Sequence, residues 1–75
     1  MTQKLSTCNA NVQYRITGIE GDSDIKRFFK HVGINEGSTF KLVNVINKHF
    51  IIYIKGSRYA MEKALAAHVM VEADA

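Results

Sequence analysis

The sequence predicts a mainly β domain, a small β-barrel, with one amphipathic helix after the first strand and a short helix near the C-terminus. Three observations predict it. Apolar and polar residues alternate from Val12, apolar residues recur every three or four positions from Ile25, and two runs rich in β-branched and aromatic residues follow, 39–46 and 50–55. A chain of 75 residues has room for one such domain with a thin core.

The first predicted strand begins at Val12. Val12, Tyr14 and Ile16 point to one side and the polar residues between them to the other, as in a half-buried strand. Gly18 and Gly21 follow closely and indicate a bulge or a turn. The residues before this strand are polar and aperiodic, so we expect 1–11 to be a flexible lead-in and 12–75 to be the single domain.

The clearest helix follows Asp22, which with Ser23 is suited to cap its first turn. Its apolar stripe has the spacing i, i+3, i+4 and i+7, and consists of Ile25, Phe28, Phe29 and Val32. Gly33 comes directly after the stripe, where a glycine in the left-handed conformation commonly ends a helix.

Two strands should then form a hairpin around the short segment Asn47-Lys48-His49. A three-residue loop would place Val43, Val45, Ile51 and Tyr53 on one face, between Lys41 and Lys55. A two-residue loop would redistribute these residues, because a slip of one residue exchanges the faces of one strand relative to the other. Both possibilities leave apolar residues on both faces.

The rest of the chain predicts a short extension at 58–61, a short helix over 62–67 and a closing strand over 68–72. The sequence has no proline, so glycines should supply most of the turn geometry. The five predicted structural turns are at Gly18, Gly21, Gly33, Gly37 and Gly56.

Composition argues against several classes of protein. The single cysteine, Cys8, cannot form an internal disulfide, and no apolar run approaches the roughly 20 residues of a membrane helix. We therefore expect a cytoplasmic protein without direct membrane insertion. The net charge is +3, but only Lys26, Arg27 and Lys30 cluster, and a solvated helix face explains them better than a nucleic-acid site.

No motif predicts an enzyme, a cofactor or a metal site. His31, His49, His68 and Cys8 lack the close spacing of metal ligands. Gly18-Ile19-Glu20-Gly21 has the spacing of a nucleic-acid-clamping G-x-x-G loop, but it follows a strand and carries an acidic residue, so a turn is preferred. There is no phosphate-binding G-x-x-x-x-G-K-[ST].

Apolar residues on both faces of the hairpin have two explanations: strong curvature of the sheet buries both faces internally, or one face contacts another protein. One face can fill the interior, and whatever the helix leaves uncovered would be an exposed apolar patch, which on a soluble domain usually marks a contact surface. The predicted partner-binding residues are Lys41, Val43, Val45, Ile51, Tyr53 and Lys55.

Four segments together resemble the ferrous iron transport protein A family, called FeoA-like. The main ones are 29–38 (FKHVGINEGS), a helix end with two glycines before a strand, and 54–61 (IKGSRYAM), a glycine followed by polar, apolar and small residues. Segment 15–22 (RITGIEGD) and the ending 64–71 also fit. The resemblance spans about 12–72. It implies an SH3-like barrel with added helices.

The resemblance also implies a function. Members of this family are cytoplasmic accessory proteins of bacterial ferrous iron uptake, thought to act on the large membrane transporter that carries a GTPase domain. The same barrel occurs at the C-terminus of some metal-responsive repressors. A basic SH3-like barrel that binds nucleic acid, a domain related to such a repressor, and direct iron binding by the histidines are therefore the alternatives. The loop 47–49 is shorter than in many members, so no contact site is transferred from them.

Overall fold

The computed structural model describes residues 2–74, so the outer ends of the predicted ranges 1–11 and 12–75 lie outside the described residues. It contains two α-helices, α1 (Ser23–His31) and α2 (Lys63–Ala66), and a short 3-10 helix, Leu5–Thr7. Its six strands are β1 (Gln3–Lys4), β2 (Val12–Ile19), β3 (Thr39–Ile46), β4 (His49–Ile54), β5 (Ser57–Glu62) and β6 (Val69–Ala73).

The strands form one antiparallel sheet in the order β1-β6-β2-β3-β4-β5. The predicted mainly β, SH3-like fold with two helices is confirmed. Within residues 2–74 no pairing joins β1 to β5, so the sheet of this SH3-like fold is not closed. These two strands are therefore the edges of an open sheet.

One hydrophobic core holds the domain together. Alternate residues of β2 to β6 supply most of it, as the two-residue period of a strand requires. Phe29 of α1 and Ala66 of α2 are completely buried in it. The strand residues that it buries are Tyr14, Ile16, Phe40, Leu42, Phe50, Ile52, Ile54, Met61, Val69 and Val71.

Helix α1 begins and ends where its sequence predicts. The Asp22 carboxylate accepts a hydrogen bond from the Ile25 amide at 3.0 Å, which satisfies one free N–H of the first turn. Gly33 has φ +85°. The Gly33 and Ile34 amides donate to the carbonyls of Lys30 and Phe29 at 3.2 and 2.9 Å, which is the Schellman arrangement. Buried Ile34 then leads the chain into the core.

The N-terminal segment departs from the predicted flexible lead-in. Gln3 and Lys4 pair with Val71 and Met70 of β6, and Leu5 is only 1% exposed. The prediction missed this because the segment acquires its partners from the far end of the chain, which local polarity cannot reveal. Residues 3–8 are therefore part of the domain.

Gly18 also differs from its predicted role as a turn. It lies inside β2, at a point where the pairing with β6 shifts register between Ile16 and Gly18, so the segment forms the bulge that was the other expectation. The other predicted turn glycines, Gly21, Gly33, Gly37 and Gly56, have positive φ angles.

Candidate partner-binding face

The β3–β4 hairpin takes the two-residue turn. Asn47 and Lys48 have φ angles of +49° and +65°, and Ile46 pairs with His49. Positive φ at both central residues is the geometry of a type I′ turn, whose twist matches that of the flanking strands. Of the two registers that the sequence leaves open, the structure therefore selects the shorter loop.

A bulge in β3 then changes which residues share a face. The register with β4 shifts between Leu42 and Asn44, so Val43 is the extra, half-buried residue. Residues directly opposite each other project to the same side of a sheet. The side of β2 to β5 away from the core, here called the outer face, therefore carries Gln13, Lys41, Asn44, Ile46, His49, Ile51, Tyr53, Arg58, Ala60 and Glu62.

The six predicted partner-binding residues fall in four places, the first being the bulge, which contains Val43. Lys41 lies opposite Tyr53 on the outer face, with half-buried Ile51 on the same side. Lys55 belongs to the β4–β5 turn with φ +51°. Val45 lies opposite buried Phe50 and hence on the core side, although it is exposed near the tip of the hairpin.

Tyr53 is the centre of this surface. Its ring is 47% exposed, and successive pairings place it in a row across four strands: Gln13 opposite Lys41, Lys41 opposite Tyr53, and Tyr53 opposite Arg58. A groove of about 320 Å³ beside it is lined by Gln13, Thr39, Phe40, Lys41, Tyr53 and Lys55. An exposed aromatic ring between cations is a common anchor in protein interfaces.

The cations around Tyr53 form no ion pair with any residue of the described range 2–74. Among residues 2–74 the ion pairs join Arg15 to Glu72 and Arg27 to Asp24, so Lys41, Lys55 and Arg58 take part in none. Their charge is available to an acidic surface, and such complementarity speeds and orients association.

The histidines do not converge on one another. His49 Nδ1 lies 3.0 Å from the Asn47 carbonyl oxygen, and His68 Nδ1 lies 3.0 Å from the Glu20 carbonyl oxygen. His31 is exposed on α1. In the part of the chain that the structure describes, no three His, Cys, Asp or Glu residues are grouped so that they could hold a metal ion.

Cys8 is buried rather than loosely held. Gln3 Nε2 donates to its sulfur at 3.5 Å, and the thiol lies 3.5 Å from the Lys4 carbonyl oxygen. Burial raises the pKa of the Cys8 thiol and also that of nearby Tyr14. A thiol that stays protonated is a poor nucleophile.

The sequence analysis missed Arg58 and Gln13 as members of this surface. Their positions near Tyr53 depend on strand pairing, which places Gln13 opposite Lys41 and Arg58 opposite Tyr53. Lys55 and Gly56 have φ angles of +51° and +79°, so they form a second tight turn, which places Arg58 opposite Tyr53. The glycine at 56 is the signal that could have indicated this pairing.

Comparison with known proteins identifies the relatives of this fold. A family model described as FeoA domain matches residues 3–73. The chain belongs to the FeoA domain family. No curated protein sequence matches it, and neither helix of residues 2–74 has the length and apolar character that crossing a membrane requires.

Solved structures of this family superpose closely. The crystal structure of an iron uptake regulatory protein (FeoA) has a TM-score of 0.90 at 26% identity, over 99% of each chain. A FeoA-like protein from Clostridium acetobutylicum has a TM-score of 0.88 at 18% identity, over 96% of this chain and 86% of that one.

A manganese-dependent transcriptional repressor in complex with manganese has the same fold in part of its length. It matches with a TM-score of 0.90 at 17% identity, over 97% of this FeoA-family chain but 37% of the repressor. At that identity the likeness concerns the fold alone.

Proposed function

We propose that this protein is a non-enzymatic accessory protein of bacterial ferrous iron transport, acting in the cytoplasm by contact with the membrane transporter that carries a GTPase domain. The observation that carries the proposal is the family match over residues 3–73. The likeness to an iron uptake regulatory protein over 99% of both chains supports it.

We further propose that the outer face around Tyr53 makes this contact. Tyr53 is an exposed aromatic residue with no role in the core, and Lys41 and Lys55 beside it make no ion pair within residues 2–74. The partner surface that fits has an apolar pocket bordered by carboxylates, because the ring and the cations would then be satisfied together. Val45 is left out of this contact because it lies on the core side of β3, and Val43 because it is the extra, half-buried residue of the bulge.

Binding to the purified cytoplasmic domain of the transporter tests the proposal. Tyr53→Asp should weaken binding at least tenfold, since it removes the aromatic anchor and introduces a charge that opposes the partner's. Phe28→Asp is the matched control, because Phe28 is an aromatic residue with the same 47% exposure but lies on α1. Titrations are run without nucleotide, with GDP and with a GTP analogue.

Two results would refute parts of this proposal. If the folded parent chain fails to bind in every nucleotide state, contact with the transporter is not its function. If Tyr53→Asp and Phe28→Asp bind equally well, the contact lies elsewhere. Both variants are checked by circular dichroism, because exposed substitutions should leave the fold intact.

The likeness to the manganese-dependent repressor motivates a second candidate, a repressor-related domain that binds nucleic acid. Binding of this kind weakens steeply as salt increases, because phosphate contacts release counterions. A titration with duplex DNA at low and high salt separates the two candidates. No binding at low salt would eliminate the second.

A further inference from the structure

The free edge of β5 has the properties of a self-complementary surface. β5 is the last strand of the sheet and pairs only with β4 among the described residues. It is six residues long and contains no proline. Edge strands usually avoid pairing with other chains by being short or by carrying proline or charged side chains, especially lysine. β5 has neither of the first two protections, and its two charged side chains have opposite signs.

The turn between β4 and β5 determines which backbone groups are free. Ile54 pairs with Ser57 across the type I′ turn, so these two residues exchange hydrogen bonds. Hydrogen-bonded pairs alternate along antiparallel strands, so Tyr59 and Met61 also bond to β4. The backbone N–H and C=O groups of Arg58 and Ala60 and the N–H of Glu62 therefore point away from β4, towards the open edge, whereas the Glu62 carbonyl accepts the first hydrogen bond of α2.

We propose that two copies of this chain pair through their β5 strands, antiparallel, with Ala60 facing Ala60 of the second copy on a two-fold axis. This register places Arg58 opposite Glu62 of the other copy, and it does so twice by symmetry. The proposal does not rest on the proposed function, since it concerns the backbone edge of β5 and a different partner, although Arg58 borders both surfaces.

Charge selects this register over its neighbours. Within residues 2–74 neither Arg58 nor Glu62 takes part in an ion pair. Pairing centred on Arg58 or on Glu62 would place like charges directly opposite, which destabilises a strand pair. Centring on Ala60 uses all three outward-facing residues and makes both charge pairs attractive.

The outer face would continue across the new interface. Ala60 lies beside Ile51, Arg58 beside Tyr53 and Glu62 beside His49 in each copy. The pairing thus creates a central apolar row of alanine and isoleucine, with an ion pair on either side. This is the usual arrangement of a small apolar centre within a polar rim.

There is also room for the incoming side chain. A groove of about 480 Å³ opens beside the β5 edge and is lined by Ala60, Glu62, Ala64, Leu65 and His68. The second copy's arginine at position 58 would enter it, with its aliphatic stem on Ala64 and Leu65 and its guanidinium on the Glu62 carboxylate.

Reversing the charges at positions 58 and 62 tests the proposal, with self-association measured by sedimentation equilibrium over a concentration series. The parent chain should form dimers. Arg58→Glu and Glu62→Arg should each weaken self-association about tenfold or more, because two attractive pairs become repulsive. An equimolar mixture of the two variants should recover the parent affinity as a heterodimer, since every glutamate then faces an arginine.

Three controls make the result specific. Lys30→Glu and Glu36→Arg change the net charge equally at exposed sites away from β5 and should dimerise like the parent. Ala60→Pro should abolish dimers while leaving the fold intact, because its N–H faces the open edge and proline is tolerated there. Circular dichroism confirms that each variant folds.

The proposal is overturned if the parent chain is monomeric at every concentration. It is equally overturned if dimers form but neither charge reversal weakens them, or if the mixed variants associate no better than each variant alone.

Discussion

The N-terminal segment and the end of the β3–β4 hairpin both differ in burial from what their compositions predict. Residues 3–8 are mostly polar, yet Leu5 and Cys8 are buried in the core. The end of β3 next to the hairpin turn is apolar, yet its residues Val45 and Ile46 are 39% and 52% exposed. The difference shows that burial in this small domain is decided by which element covers a residue and not by the character of its neighbours in sequence.

The covering elements explain both cases. β6 lies next to β1, and the 3-10 helix that contains Leu5 packs against α2 and β6. At the hairpin tip, beyond the bulge in β3, the Lys63 amide at the start of α2 donates to the Lys48 carbonyl at 2.9 Å, but Val45 and Ile46 of β3 stay exposed. Apolar side chains therefore stabilise the fold in the N-terminal segment, whereas those at the end of the hairpin remain exposed to solvent.

Leu5→Ala should give the largest effect on stability. Removing a side chain that is 1% exposed leaves a cavity, and such changes cost about 2–5 kcal/mol of unfolding free energy. Ile46→Ala, at 52% exposure, should change it by less than about 0.5 kcal/mol. Urea denaturation measures both. Equal costs at the two sites would contradict the burial of the N-terminal segment.

The pH dependence of the unfolding free energy should also test whether the N-terminal segment, which contains Cys8, is buried. Burial holds the pKa of Cys8 above its ordinary value of 9.0, so in alkaline solution the unfolded chain loses this proton before the folded chain does. Stability should therefore be unaffected by this thiol below pH 9 and decrease as the pH rises above it.

Cys8→Ala provides the control for that measurement. The variant should show a shallower decrease in unfolding free energy above pH 9, with the remaining slope due to Tyr14, whose pKa is also raised by burial. Identical slopes in parent and variant would show that the thiol titrates as it does in the unfolded chain, and hence that it is accessible to water.

A modest effect of the opposite sign is expected in the β3–β4 turn and comes from the backbone. Lys48 has φ +65°, a conformation that costs a non-glycine residue energy and that glycine adopts freely. Lys48→Gly should therefore raise the unfolding free energy by up to about 1 kcal/mol, measured by urea denaturation. The β4–β5 turn already has glycine at the equivalent position, Gly56. A loss of stability would contradict the type I′ geometry.

Local signals in the sequence predicted local structure well. Asp22 and Gly33 each predict an end of α1 through a contact within a few residues, and β3 has the predicted bounds of Thr39–Ile46. The type I′ turn at Asn47-Lys48 was one of two alternatives, because the sequence lacks the glycine that usually indicates it.

Features that depend on distant partners were not predictable. The bulge at Val43 exchanges the faces of the hairpin after it, so Val45 moved to the core side although Lys41, Ile51 and Tyr53 shared the outer face. Arg58 joined that face only through its pairing with Tyr53. Strand β1 depends on residues near the other end of the chain.

The pairing of β1 with β6 has a consequence for how this domain is reused. Gln3 lies opposite Val71, so the polypeptide enters and leaves the sheet at neighbouring positions. Domains whose two ends lie close together tolerate insertion into another chain well, because the host chain can join both ends without disturbing the interior of the domain. This geometry suits a transferable module, and the same fold occupies 37% of a manganese-dependent repressor.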